Sequence, residues 1–142
     1  MKIDSIKDGI VLDHIKAGRS MDIYRYLGLD KLDCSVAIIK NVPSNKMGKK
    51  DILKIADNFD INLDVLGYVD PDITVCYIKD YEIVEKRHVE LPEKIVNIIH
   101  CKNPRCITSE EREIDHIFKL TDRKNRIYRC VYCESKKSKY SL

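Results

Sequence analysis

The sequence predicts an α+β chain in two parts: a mainly antiparallel sheet with helices on one face, then a small β-rich domain held by a metal ion. Three observations carry that reading. Periodic segments up to residue 86 run strand, helix, strand, strand, helix, strand, strand, the element order of a two-layer sandwich. Cys101, Cys106, Cys130 and Cys133 stand as C-x4-C and C-x2-C pairs in the last third of the chain, a spacing that aims four thiolates at one tetrahedral ion. Between these features Arg87 to Glu93, with charged residues around Leu91 and Pro92, reads as a hinge. Residues 1–90 and 91–142 are therefore expected to be separate domains.

Ile10 to Ile15 (IVLDHI) follows Gly9 as an apolar run, consistent with a largely buried strand whose far end is interrupted by Asp13 and His14. Met21, Tyr24 and Leu27 recur at helical spacing between Ser20, suited to an N-cap, and Gly28, suited to a left-handed stop, so Ser20 to Leu27 reads as a short helix. Ser35 to Lys40, centred on VAII, is the next strand, and Pro43, Ser44, Asn45 and Gly48 are turn formers. Lys49 to Asn58 can be drawn either as a helical face or as a strand through Ile52, Leu53, Ile55 and Ala56. The turn before it favours a hairpin, and a strand would put Lys50, Ile52 and Lys54 on one face. Ile61 to Gly67 reads as a second short helix, although Asn and Asp there oppose it. Ile73 to Ile78 (ITVCYI) and Tyr81 to Lys86 (YEIVEK) are strands joined by a tight turn at Lys79 and Asp80. Past the hinge, Ile95 to His100 leads into the first cysteine pair, Ile114 to Leu120 and Ile127 to Cys130 read as strands, and ESKKSKYSL is a polar tail.

Asn103 and Pro104 supply a turn inside the first cysteine pair, and Val131 and Tyr132 span the second. Two disulfides or four unrelated buried thiols are the competing readings, and the spacing disfavours both. One structural Zn2+ per chain is expected, with four sulfurs at about 2.3 Å and no position left open for Lewis-acid chemistry. A domain of about fifty residues buries little apolar surface. The ion would then supply much of its stability, roughly 10 to 16 kcal/mol of apparent binding free energy. Cys34 and Cys76 read as small buried hydrophobes, and His100 and His116 as neighbours of a shell that the cysteines already fill.

A content of 35% charged and 44% apolar residues fits a globular protein and excludes a disordered one. No window approaches the eighteen or so apolar residues that cross a bilayer, so no membrane association is expected. The start, MKIDSIKDGI, has no apolar h-region. Six cysteines without an export signal point to the reducing cytoplasm. The net charge of +3 is uneven: 14 basic and 16 acidic residues lie through Pro92, and 12 basic and 7 acidic from Glu93 onward. The cysteine-bearing end is the basic one, suited to an acidic protein surface or to nucleic acid.

Several stretches together resemble one family. They are I-x-x-G-I-V-L-D-H-I (Ile6 to Ile15), N-V-P-S-x-K-M-G-K-K-D-I-L-K-I (Asn41 to Ile55), Y-E-I-V-E-K (Tyr81 to Lys86), L-P-E-K-I (Leu91 to Ile95) and the two cysteine pairs. In this order they resemble the regulatory chains of aspartate carbamoyltransferase. The resemblance implies a ferredoxin-like allosteric domain followed by a small zinc domain, with no catalytic residues. It implies dimers of the chain, zinc domains that grip catalytic chains, and CTP and ATP as effectors of pyrimidine synthesis. A triphosphate site needs cations, an acceptor for ribose hydroxyls and groups that hold a base. Lys50, Lys54, Lys86 and His14 supply candidate cations or base partners, and Asp13 a candidate ribose acceptor. By the resemblance, Lys86 and His14 face the triphosphate, Asp13 and Lys54 face ribose and base, and Ile6 and Tyr81 lend backbone groups. Ile3, Asp4, Ser5, Val11, Lys50, Ile52, Ile78 and Ile83 would line the rest. The pattern breaks at Cys76, where better-known members carry Asn, which removes an amide that could read the base.

Taken singly, Lys50, Lys54 and Lys86 are ordinary surface lysines, Asp13 and His14 a strand end, and Tyr81 core packing; only their joint placement in matching segments reverses this. A nucleic-acid-binding zinc ribbon is the rival reading, supported by Arg123, Lys124, Arg126, Arg129, Lys136, Lys137 and Lys139. Stacking aromatics are sparse, with no Trp and two Phe, so no nucleic-acid partner is expected. No nucleophile triad, P-loop or paired-carboxylate motif supports an enzyme.

Overall fold

The computed structural model describes residues 6–58 and 60–136. The chain forms two compact units, the first ending at Glu90 and the second beginning at Leu91. In the first, β1 (Gly9–Lys16), β2 (Val36–Ser44), β3 (Gly48–Ile55), β4 (Thr74–Lys79) and β5 (Glu82–His88) build one sheet in the order β2-β3-β1-β4-β5. Every pairing is antiparallel. Helices α1 (Ser20–Tyr26) and α2 (Leu63–Val69) connect β1 to β2 and β3 to β4. This is the split β-α-β arrangement of a ferredoxin-like fold, with β5 added at one edge. The ambiguous Lys49 to Asn58 segment is a strand, paired in a hairpin with β2.

Alternation assigns the two faces of the sheet. Ile10 and Leu12 of β1, Leu53 and Ile55 of β3 and Val75 of β4 are buried with Ile23 of α1 and Leu66 of α2, so the helices cover this side. Their neighbours Val11, Lys50, Ile52 and Lys54 are half-buried on the other side. Between Leu12 and Ile15 the register shifts, and Ile15 returns to the core. The extra residue is a β-bulge, with His14 at φ 58°. A second bulge in β2, between Ile39 and Val42, places Asn41 at φ 57°. Gly9 opens β1 because nothing larger fits: a Cβ there would sit 2.1 Å from the Ile55 carbonyl oxygen.

Asp51, fully buried on the core side, ties these irregular points together. One carboxylate oxygen accepts from the Asn41 N–H at 3.0 Å; the other accepts from the Gly18 N–H at 3.1 Å and the Ser20 hydroxyl at 2.7 Å. Burial opposes its charge, yet the Ser20 hydroxyl and the backbone N–H donors outweigh it and hold the carboxyl below its usual range. Ser20 is thus not the N-cap that its type suggests. Arg19 occupies that position without a side-chain cap, and Ser20 is the first helical residue, its hydroxyl taken by Asp51. Gly28 does end the helix in the left-handed region, at φ 65°. Three further local readings shift. Pro43 lies inside β2, tolerated because β2 is an edge strand. A 3-10 turn at Leu29–Lys31 follows α1. The β4–β5 turn is made by Asp80 and Tyr81, both with positive φ, one residue later than expected.

The second unit is a three-stranded sheet, β6 (Lys94–Val96), β7 (Ile117–Asp122) and β8 (Ile127–Cys130), in that order and antiparallel. Its small core is Leu91, Ile95, Ile99, Phe118 and Tyr128, beside the buried cysteines. One unexpected turn of helix, α3 (Ile107–Glu110), follows Cys106. No helix of the described residues is long and apolar enough to cross a membrane.

Replacing Asp51 by Ala strands three donors, and the loss is expected to be about 3 kcal/mol. Since the folded-state pKa lies below the unfolded value, this stability is present above the ordinary carboxylate pKa of about 3.9 and fades as pH falls through the folded value. Urea titrations from neutral to acid pH should show a shallower acid slope for Asp51→Ala than for the native chain; parallel slopes would contradict this role.

Candidate functional site

Two places gather chemistry-bearing side chains, one in each unit. In the second unit the four sulfurs of Cys101, Cys106, Cys130 and Cys133 all lie within 4.8 Å of one another. Cys101 Sγ is 3.6 Å from Cys133 Sγ, and Cys106 Sγ is 3.7 Å from Cys130 Sγ. These separations exclude disulfides, whose sulfurs are about 2.05 Å apart. They fit a tetrahedral ion with sulfur ligands at about 2.3 Å, whose sulfurs stand about 3.8 Å apart. The sequence brings them together simply: Asn103 accepts the Arg105 N–H in a turn between the first pair, and β8 ends at Cys130 so that the next turn carries Cys133 back.

The surroundings favour charged sulfur at Cys133 and oppose it at Cys101 and Cys130. Burial pushes the Cys101 thiol up to about 12 and raises Cys130 as well. At Cys133 burial is outweighed by donors from Ser135 and Asn103, which bring it down to about 6. Thr108, two residues after Cys106, donates its hydroxyl to Cys106 Sγ at 3.1 Å. A bound cation would stabilise all four as thiolates and cross-link the two turns. His116 is no ligand here. Its Nδ1 accepts the Cys101 N–H at 3.1 Å, and its ring packs edge-on against His100 at 4.6 Å between centroids. These supporting groups carry no spacing signal, which is why only the cysteines stand out in the sequence.

In the first unit the uncovered face of the sheet is the second gathering point. Register places Lys54, Val11, Cys76 and Lys86 in one row across β3, β1, β4 and β5. Adjacent strands are about 4.8 Å apart, so the row spans about 14 Å. The next row holds Asp13, Thr74 and His88, with Lys50 ion-paired to Asp13 at 2.9 Å. The bulge lets two consecutive residues work on this side: Asp13 opposes Thr74, and the His14 ring meets the Thr74 hydroxyl at 3.1 Å. Ile78 and Ile83 pair across β4 and β5. Ile52 lies between Lys50 and Lys54 on β3.

Burial works against the Asp13 carboxylate, but the Lys50 ammonium and the His14 N–H outweigh it and hold the pKa below the ordinary value. Asp13 is therefore an ionised, acceptor-only group at neutral pH. Burial raises the Cys76 thiol although Lys86 faces it. Tyr81 is 63% exposed, so it is not core packing, and its N–H donates to the Lys7 carbonyl at 2.9 Å. Of its two backbone groups, the carbonyl is left to offer a ligand. Ile6 is half-buried just before β1. Ile3, Asp4 and Ser5 lie outside the described residues, as do Lys137 and Lys139. Thr74 and His88 share the face and were not singled out by the sequence; only the cross-strand register reveals them.

Comparison with known proteins covers both units. Residues 1–90 match the family described as the aspartate carbamoyltransferase regulatory chain, allosteric domain. Residues 93–141 match the metal binding domain of the same chain. The protein is similar to the aspartate carbamoyltransferase regulatory chains of Clostridium tetani, 53% identical over 94% of each chain, and of Clostridium acetobutylicum, 48% identical over 94% of this chain and 92% of that one. The regulatory chain of Bifidobacterium longum is 44% identical over 94% of this chain and 96% of its own length.

If the four sulfurs share one ion, Cys106→Ser should lose it. Metal analysis of reduced protein is expected to find a bound ion in the native chain and at least a tenfold weaker hold in the variant. A strong chelator should unfold the unit that begins at Leu91 while the first unit keeps its own melting transition.

Proposed function

The chain belongs to the family of aspartate carbamoyltransferase regulatory chains, and on that premise we propose that it senses nucleoside triphosphates, CTP and ATP, on behalf of a separate catalytic chain. It is a non-catalytic subunit with an allosteric and a metal-binding domain. In this reading residues 1–90 bind the effector and pair with a second copy of the chain, and residues 91–142 dock on the catalytic chain. The work is cytoplasmic, in pyrimidine synthesis, with neither nucleic acid nor membrane as partner.

The observation that carries the effector site is the uncovered sheet face, where three lysines and two imidazoles surround a single carboxylate beside apolar side chains. An ionised Asp13 suits ribose hydroxyls, which are donors. Lys86 and His14 would meet the phosphates, Lys54 the ribose or base, and Val11, Ile52, Ile78 and Ile83 the apolar surface of the nucleoside. The Lys50–Asp13 pair would have to loosen for Lys50 to reach a ligand. Ile6 and Tyr81 would contribute carbonyl groups.

One Zn2+ per chain is the ion that suits four thiolates in a cytoplasmic protein. Its work is mechanical, since four sulfurs leave it no open position. Regulation then follows from linkage. A nucleotide changes the activity of a distant centre only as far as its affinity differs between two states of the assembly, typically by about 1 to 3 kcal/mol.

Calorimetry of the purified chain with CTP and with ATP tests the effector site. Binding of at least one is expected, weakened about tenfold or more by Lys86→Ala, as for loss of a charge-assisted contact. Failure to bind either nucleotide would remove the reading.

A further inference from the structure

The first cysteine of the array is held by residues that lie outside it. Asn97 follows β6 directly, at φ 57°, and clasps the end of the segment that leads into β7. Its N–H donates to the His116 carbonyl at 2.7 Å, its Oδ1 accepts the His116 N–H at 2.9 Å, and its Nδ2 donates to the Asp115 carboxylate at 3.0 Å. His116 is thereby fixed just before β7, and its ring Nδ1 accepts the Cys101 N–H at 3.1 Å. A backbone N–H can only donate, so this ring is neutral with its hydrogen on Nε2. The His100 ring packs edge-on against it, with 78° between the planes.

Cys101 is the sulfur that needs such support most. Cys130 ends a strand and Cys106 opens a turn of helix, whereas Cys101 lies in irregular backbone between β6 and α3, where no ladder fixes it. Cys106 Sγ takes the Thr108 hydroxyl, and Cys133 has donors from Ser135 and Asn103. At Cys101 burial dominates, and the backbone donor from Asn103 offsets it only in part. A thiolate so costly to charge binds an ion well only when it is delivered to the right place. The clasp delivers it, because the Cys101 N–H has one partner and that partner is anchored to β7 through Asn97.

We propose that His116, set by Asn97, is a positioning residue of the metal centre: by accepting the Cys101 N–H it keeps the Cys101 sulfur where one ion meets all four, and so governs how tightly and how long the ion is held. The inference rests on the four sulfurs sharing an ion and adds to it the residue that keeps the array closed.

Three variants of the full chain separate positioning from packing. His116→Asn keeps an acceptor near the place of Nδ1 and loses the ring. His116→Leu keeps apolar bulk and loses the acceptor. Asn97→Gly keeps the positive φ and loses the side-chain clasp. Zn2+ affinity is measured by competition with a chromophoric chelator, release by transfer to excess chelator, and sulfur coordination by the absorption of the Co2+-loaded proteins. The expected result is Zn2+ held about tenfold or more weakly by His116→Leu, with faster release and an altered sulfur-to-Co2+ band, while His116→Asn stays within about threefold of the native chain and Asn97→Gly falls between them. The reverse order, with His116→Leu near native and His116→Asn weakened, assigns the ring to packing and overturns the proposal, as does equal binding by all three. Should His116→Leu fail to fold, His116→Asn and Asn97→Gly decide, and an Asn97→Gly chain that holds Zn2+ as tightly as the native one overturns it. A native chain that binds neither ion overturns the metal reading as well.

Discussion

Strand β3 has a period of two, and everything on the first unit's working face depends on keeping it. Asp51, Leu53 and Ile55 point into the core; Lys50, Ile52 and Lys54 point away from it. A slip of one residue would bury Lys50 and Lys54 and empty the face of its lysines. Apolar side chains alone specify such a register weakly near a strand end. Asp51 fixes it there, because its three donors come from the β1–α1 loop, the first residue of α1 and the bulge of β2, and no other register offers it all of them. Its burial without a countercharge is tolerable for the same reason, since the donors replace water around the carboxylate.

The second unit solves a different problem. Its core holds five large side chains, Leu91, Ile95, Ile99, Phe118 and Tyr128, too few to offset the entropy of ordering the chain. An ion bound where the four sulfurs meet would replace the missing core with a cross-link between the segment after β6 and the turn after β8. The donors from Thr108, Ser135 and Asn103 orient two of the sulfurs, and His116 holds the Cys101 backbone. An ion held by these four sulfurs would therefore serve as architecture.

The sequence was legible where a period or a spacing repeats. The element order through β5, the strand through Lys54 and the cysteine array all follow from such patterns, and the family segments lie on the same elements. What stayed hidden depends on one residue more or less. The bulge at Asp13 and His14 looks from the sequence like a polar end to an apolar run. In the structure it is the device that turns two consecutive side chains to the same side. Ser20 reads as a helix cap because its hydroxyl suits one, yet a buried carboxylate from another strand is the stronger acceptor. Thr74, His88 and the facing cations of the second sheet, Lys94, Lys119 and Arg129, are set by cross-strand register, which no local pattern encodes.

Both units share a feature that neither fold requires. Each sheet has one covered face, and on the other each gathers cations: Lys50, Lys54 and Lys86 in the first, with Val11 and Cys76 between the last two, and Lys94, Lys119 and Arg129 directly opposed in the second. In the first unit one carboxylate relieves part of the repulsion, through the Asp13–Lys50 pair; in the second the described residues supply none. Natural sequences break local rules at working sites and offset the loss elsewhere, here through a buried carboxylate in one unit and a thiol cluster in the other.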